Sequence, residues 1–83
     1  MSTDTGETVL HRCDPARNMF RFYSVAIEPD LFGQFLAVRR WGRIGTSGRS
    51  LATACRSLQD AVDVIEHHAL CKRRRGYVDR PAK

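Results

Sequence analysis

Apolar and polar residues alternate through four stretches of the chain and then recur at helical spacing in a fifth. In 20–27 (FRFYSVAI), Tyr23, Val25 and Ile27 share one face and Phe20 and Phe22 the other. That period of two predicts a strand with partial cover on both sides. Residues 35–44 (FLAVRRWGRI) predict another, and 49–55 (RSLATAC) a third, with Leu51, Thr53 and Cys55 on one face. The β-branched run 8–13 (TVLHRC) adds a strand ahead of these, ended by Asp14-Pro15. DPARN (14–18) reads as a turn, as does Glu28-Pro29-Asp30. Leu31-Phe32-Gly33 is expected to tuck against a sheet edge, and Gly45-Thr46-Ser47-Gly48 to close a hairpin.

From Leu58 the period changes to 3.6. Leu58, Ala61, Val62, Ile65 and Ala69 form one apolar stripe, with Asp60, Asp63 and His67 opposite it. Ser57 is placed to cap this helix, and Asp60 suits its first turn. Lys72-Arg73-Arg74-Arg75 and Gly76 supply the cations and the flexible residue of a helix end. Tyr77-Val78-Asp79 adds a short last strand or packs back. Strands followed by one helix predict an α+β fold, a small antiparallel sheet of three to five strands with the helix on one face. One domain is expected over 8–79, with flexible tails at 1–7 and 80–83.

Length narrows the function classes. Eighty-three residues leave no room for a Rossmann domain or a (β/α)₈ barrel. The apolar runs are too short to cross a bilayer, and the helix stripe lacks the aromatic anchor of a membrane-surface helix. The N-terminus, MSTDTGETVL, carries no secretory pattern, so a cytoplasmic location is expected.

Charge adds more. The net charge is +5, and it is unevenly placed. Residues 1–30 hold three basic groups against five acids, whereas 31–83 hold eleven against four. Twelve of the fourteen cations are arginine, whose planar fork matches phosphate. This points to a polyanion partner, with an Arg-rich soluble surface as the plainer explanation.

Cys13, Cys55 and Cys71 are odd in number and widely spaced, which argues against a disulfide framework. His67, His68 and Cys71 are helical neighbours but lack a fourth ligand nearby, so no metal is expected. No nucleophile elbow, phosphate loop or carboxylate pair is present, so neither an enzyme nor a cofactor nor a small-molecule substrate is expected.

The strand at 35–44 holds the strongest signal. Phe35, Ala37, Arg39, Trp41 and Arg43 share a face, against Leu36, Val38 and Ile44. An Arg-Trp-Arg row is expensive to bury. Exposed, it suits stacking on a base or sugar while holding phosphates. The other reading is an aromatic at the core edge with its arginines extended into water. Gly42, inside the strand, implies a bulge or a close backbone approach. The Lys72–Arg75 run fits the helix dipole as well as it fits a nucleic-acid contact.

Trp41-Gly42-Arg43, then Ile44-Gly45-Thr46 and Gly48, with Arg21-Phe22-Tyr23 upstream and Lys72 with Arg75-Gly76-Tyr77 downstream, resembles the WGR domain. The likeness runs from about residue 18 to Tyr77 and is closest to single-domain bacterial members. It implies a sheet-plus-helix binding module; in DNA-dependent poly(ADP-ribose) polymerases the domain holds DNA near a strand break. Carried over, Trp41 is the stacking plate, Arg43 a phosphate or inter-domain contact, and Tyr77 a second wall or phosphate donor. Asn18 and Arg21 match a stretch that makes backbone contacts. Arg49 stands where the family often has Gln and adds a cation. The polymerase chemistry does not carry over, because no transferase region is present.

The expectation is a non-enzymatic nucleic-acid-binding module, DNA ahead of RNA, reading little sequence. Its candidate residues are Trp41, Gly42, Arg43, Arg39, Arg49, Arg21, Lys72 and Tyr77. The alternative is a protein-interaction or regulatory module using the same Trp-Gly-Arg face.

Overall fold

The computed structural model describes residues 7–80. Apart from Glu7 and Arg80, the expected tails at 1–7 and 80–83 lie outside the described residues. Five antiparallel strands form one sheet: β1 (Thr8–Asp14), β2 (Met19–Pro29), β3 (Phe35–Arg43), β4 (Arg49–Cys55) and β5 (Val78–Asp79). Their order across the sheet is β4-β3-β2-β1-β5. The helix α1 (Leu58–Arg74) lies over one face, which makes the fold α+β.

The core is the contact between that helix and the alternate residues of the strands. Leu10, Tyr23, Val25, Ala37 and Cys55 from the sheet meet Ala61, Ile65 and Ala69 from α1, and Tyr77 closes the end. Small alanines on the helix let it sit close to the sheet. Leu58, expected in the stripe, is 46% exposed, and Val64 packs against the core instead. The helix begins one residue after Ser57, whose hydroxyl accepts the Asp60 amide at 3.1 Å.

Two local expectations need correction. Glu28-Pro29 is not a turn: β2 runs on to Pro29, which pairs with Phe35. Proline is tolerated there as the last residue of the strand. The turn is instead built by Asp30, whose carboxylate accepts the amides of Phe32 and Gln34, each at 2.8 Å. Leu31 and Phe32 do not tuck against an edge; they project from the hairpin tip, 96% and 87% exposed. A turn held by its own aspartate has no need of an apolar anchor.

The connection between β3 and β4 explains Gly42. The β2–β3 register runs through this residue without interruption, Phe22 opposite Gly42 and Tyr23 opposite Trp41. The second expectation, a close backbone approach, is what the structure holds. A Cβ on Gly42 would lie 2.8 Å from the Gly48 Cα. Gly48, at φ +68°, passes so close that its own Cβ would strike the Trp41 carbonyl. The loop thus folds back on the strand, beside Phe22, on the face away from α1. The Thr46 hydroxyl and amide both donate to the Arg43 carbonyl, at 2.7 and 3.0 Å, and close it.

Gly48→Ala is therefore expected to destabilise the fold by at least about 2 kcal/mol, from positive φ and backbone collision together. Gly33→Ala has positive φ but open space, and is expected to cost about 1 kcal/mol. Urea denaturation of the two variants checks the contrast.

Candidate nucleic-acid interface

The register that buries the core also decides what stands beyond it. On the helix side, Leu10, Tyr23 and Trp41 lie in a row across β1, β2 and β3, and Arg49 of β4 continues it. The next row on that face is Arg12, Arg21 and Arg43. Three guanidinium-bearing residues stand side by side, an arrangement that like-charge repulsion opposes. Neither of the two ion pairs among the described residues, Arg17–Asp14 and Arg73–Asp79, involves this row.

The end of α1 covers the junction of the two rows. Gly76, at φ +98°, donates to the Arg73 carbonyl at 3.1 Å, and Tyr77 donates to the Lys72 carbonyl at 3.1 Å. These two bonds make a Schellman cap. It turns the chain so that Tyr77 enters the core and Lys72 stands above it. The Lys72 ammonium lies 4.9 Å from the Tyr23 ring centre and 5.4 Å from that of Tyr77, a cation held over two aromatic faces. The spacing of Lys72, Gly76 and Tyr77 is thus the spacing of a helix cap, and it delivers a cation to the site.

Two clefts open on either side of this lysine, and Trp41 lines both. One, of 460 Å³, holds Arg21, Gly42, Arg43, Lys72 and Tyr77, together with Arg17 and Asn18. The other, of 400 Å³, holds Arg39, His67, His68, Cys71 and Arg75 with Tyr23. Trp41 is half-buried, with the Arg39 guanidinium 5.9 Å from its ring centre. Arg43 lies over the Phe20 ring at 5.3 Å and reaches the backbone and side-chain oxygens of Asn18, each at 3.4 Å. Asn18 is in the left-handed conformation, φ 54°, where asparagine is tolerated.

Six of the other seven expected residues therefore line the two clefts with Trp41, and Arg49 stands beside it on β4, outside both. Tyr77 is buried and presents only part of itself. The Arg-Trp-Arg row divides by exposure: Arg39 and Trp41 are half-buried at the core's edge, whereas Arg43 is exposed. The Lys72–Arg75 run divides likewise. Lys72 and Arg75 line clefts, while Arg73 is held by Asp79 at 2.8 and 3.1 Å.

Arg12 was missed by sequence reasoning. Its signal is register: a turn at 14–18 pairs residue 12 with 21, and so extends the basic row. A Cβ on Gly76 would lie 3.4 Å from its Nε, so Arg12 also sits at the negative end of the helix.

Burial, with repulsion from Arg75, Arg21 and Arg39, lowers the Lys72 pKa from its ordinary value. Burial first, then Arg39, His67 and Lys72, lowers that of His68. The Tyr23 pKa is raised by burial, with Arg39 opposing the shift. Its hydroxyl is buried without a hydrogen-bond partner of good geometry among the described residues. Lys72 and His68 are thus shifted towards their neutral forms, and neither ion pair among the described residues supplies counter-charge to the arginine row.

The WGR domain family matches residues 6–83. The chain belongs to that family. It is also 44% identical over 73 residues to y4dW, an uncharacterized protein of Sinorhizobium fredii. The match covers 88% of this chain and 36% of that relative, so the chain spans about a third of the relative's length. The three letters of the WGR name have distinct positions. Trp41 and Arg43 stand on the helix side in adjacent rows, and Gly42 between them carries the returning loop on the opposite side. Among the described residues no group of three or more His, Cys, Asp or Glu is placed to hold a metal ion, and no helix is long and apolar enough to cross a membrane.

Arg21→Gln removes the middle charge of the row. It is expected to stabilise the free WGR domain by about 0.2–1 kcal/mol at low salt, with the gain shrinking as salt is added. A loss of stability in urea titrations would contradict the strained-row description. The His68 shift sets a pH trend of known sign. The unfolded chain takes up the His68 proton near pH 6.5 (about the unperturbed value), and the folded chain resists it until lower pH. Stability is therefore expected to fall as pH drops through that window, and His68→Gln to flatten the slope.

Proposed function

We propose that this WGR domain is a non-enzymatic, cytoplasmic module that binds nucleic acid, DNA ahead of RNA, through the face around Trp41. The observation that carries the proposal is the Arg12–Arg21–Arg43 row, with Lys72 above it and no acid of the described residues paired to it. Folding forces these cations together against their repulsion, and a phosphodiester backbone supplies the missing negative charge.

The chemistry divides by residue. Arg21 and Arg43 face the larger cleft and neutralise phosphate oxygens, with Arg43 aimed by Asn18. Lys72 adds a third cation. Its contact with two aromatic faces restricts its motion, so little side-chain entropy is lost on binding. Trp41 stands at the rim shared by both clefts and offers an aromatic surface to a sugar or base. A base inside a duplex has no free face, so such a surface favours a strand end or a nick. Backbone contacts of this kind read charge and shape, hence little sequence. Arg39, Arg75 and His68 extend the positive surface into the second cleft.

Fluorescence anisotropy of labelled blunt and nicked duplexes tests this reading. Wild-type protein is expected to bind with strong salt dependence and to favour ends or nicks. Trp41→Ala is expected to lose about 1–3 kcal/mol of binding. Arg21→Gln and Arg43→Gln are each expected to lower the slope of log affinity against log salt by about one. Wild-type affinity in folded Trp41→Ala, with a salt slope untouched by the arginine changes, would contradict the proposal. Capture of a protein partner by the same face would then be the favoured reading.

A further inference from the structure

The sheet has two outer edges, and they are unlike. One is β5, only two residues long, with Asp79 held by Arg73 and the Arg80 amide donating to Val9 at 2.9 Å. Short, charged and tied down, it is a poor template for another strand. The other edge is β4, seven residues from Arg49 to Cys55, paired on one side only. It holds no proline, no lysine and no acid, and its only charge is Arg49 at its start. Ser50, Leu51, Ala52, Thr53 and Ala54 are all exposed, and Leu51 is 47% so. None of the usual devices that blunt an edge is present along it.

We propose that β4 is a dimerisation edge, pairing antiparallel with β4 of a second copy of this chain about a two-fold axis at Ala52. Charge complementarity selects this occupant and this direction. The cationic end of β4 carries Arg49, with Arg40 on the neighbouring strand opposite Ser50. At the other end Thr53, Ala54 and Cys55 line a shallow hollow of 430 Å³ with Asp60 and Asp63, which outnumber its one cation, Arg56. Pairing centred on Ala52 sets Arg49 opposite Cys55 of the second copy, beside those two carboxylates, and symmetry makes the contact twice. Parallel pairing would leave the arginine ends together.

The side chains fit the same register. Leu51 meets Thr53 of the second copy on the helix side, and Ser50 meets its Ala54 on the far side. Residues directly opposite in an antiparallel pair point to one face, so each meeting is between side chains of like orientation. The result is a continuous ten-stranded sheet with both helices on one side. Assembly stops at two, because the outer edges that remain are the two blunt β5 strands. Nothing in this contact depends on whether the clefts take nucleic acid.

Analytical ultracentrifugation of the protein alone, from micromolar to near-millimolar concentration, tests the proposal. The wild type is expected to sediment as a reversible dimer. Ala52→Lys/Ala54→Lys is expected to be monomeric with an unchanged circular dichroism spectrum, since both positions are exposed in the monomer. Asp63→Arg is expected to weaken the dimer about tenfold or more, and Arg49→Asp/Asp63→Arg to recover it. This charge swap reads the same contact without lysines in the strand. A wild type that stays monomeric throughout would overturn the proposal, as would dimerisation indifferent to the lysine pair or the charge swap.

Discussion

The register of the three long strands is the constraint on which the site depends. Leu10 opposite Tyr23, and Tyr23 opposite Trp41, is the alignment that puts the buried residues under α1. A slip of one residue would turn Tyr23 and Val25 to the open face and bring Ser24 under the helix. The core therefore holds the strands in place, and in holding them it sets Arg12, Arg21 and Arg43 in a row one step further on. The arginines cannot move apart without unmaking the core. Stability and charge density are set against each other at this end of the sheet, and the proposed polyanion partner is what would relieve the conflict.

Two glycine-dependent features make the basic row into a shaped surface. Gly42 and Gly48 let the β3–β4 loop lie on the strand from the side away from the helix, and that contact braces the backbone that carries Trp41 and Arg43. On the helix side, the Schellman cap at Gly76 ends α1 where Lys72 overlies Tyr23 and Tyr77. One feature steadies the strand from behind and the other sets a cation in front. Of the letters that name the WGR family, Gly42 is thus an instruction for backbone geometry, and Trp41 and Arg43 are the side chains that this geometry holds in place.

Much of this was legible in the chain itself, for physical reasons. β4 over 49–55 and the Ser57 cap were readable because alternation and capping are local. The loop at 30–34 was misread: Leu31-Phe32 looks like an anchor, and only the Asp30 hydrogen bonds show that the turn needs none. Gly42 was ambiguous between a bulge and a close approach, since the partner, Gly48, is known only once the loop folds back. Arg12 was overlooked because its neighbours in the site come from other strands. The division of the Lys72–Arg75 run likewise depends on Asp79, which a paired β5 brings into reach of Arg73.

The chain holds a single tryptophan, so its emission, excited at the red edge of the band where the two tyrosines no longer absorb, reports Trp41. Titrating the protein with a short nicked duplex while following that emission, and the anisotropy of the DNA in parallel, tests whether nucleic acid binds at Trp41. The emission is expected to change with the same dissociation constant as the anisotropy, and added salt to reverse both together. Anisotropy that reports binding while the Trp41 emission stays unchanged would place the nucleic acid elsewhere on the molecule and contradict binding at the Trp41 face.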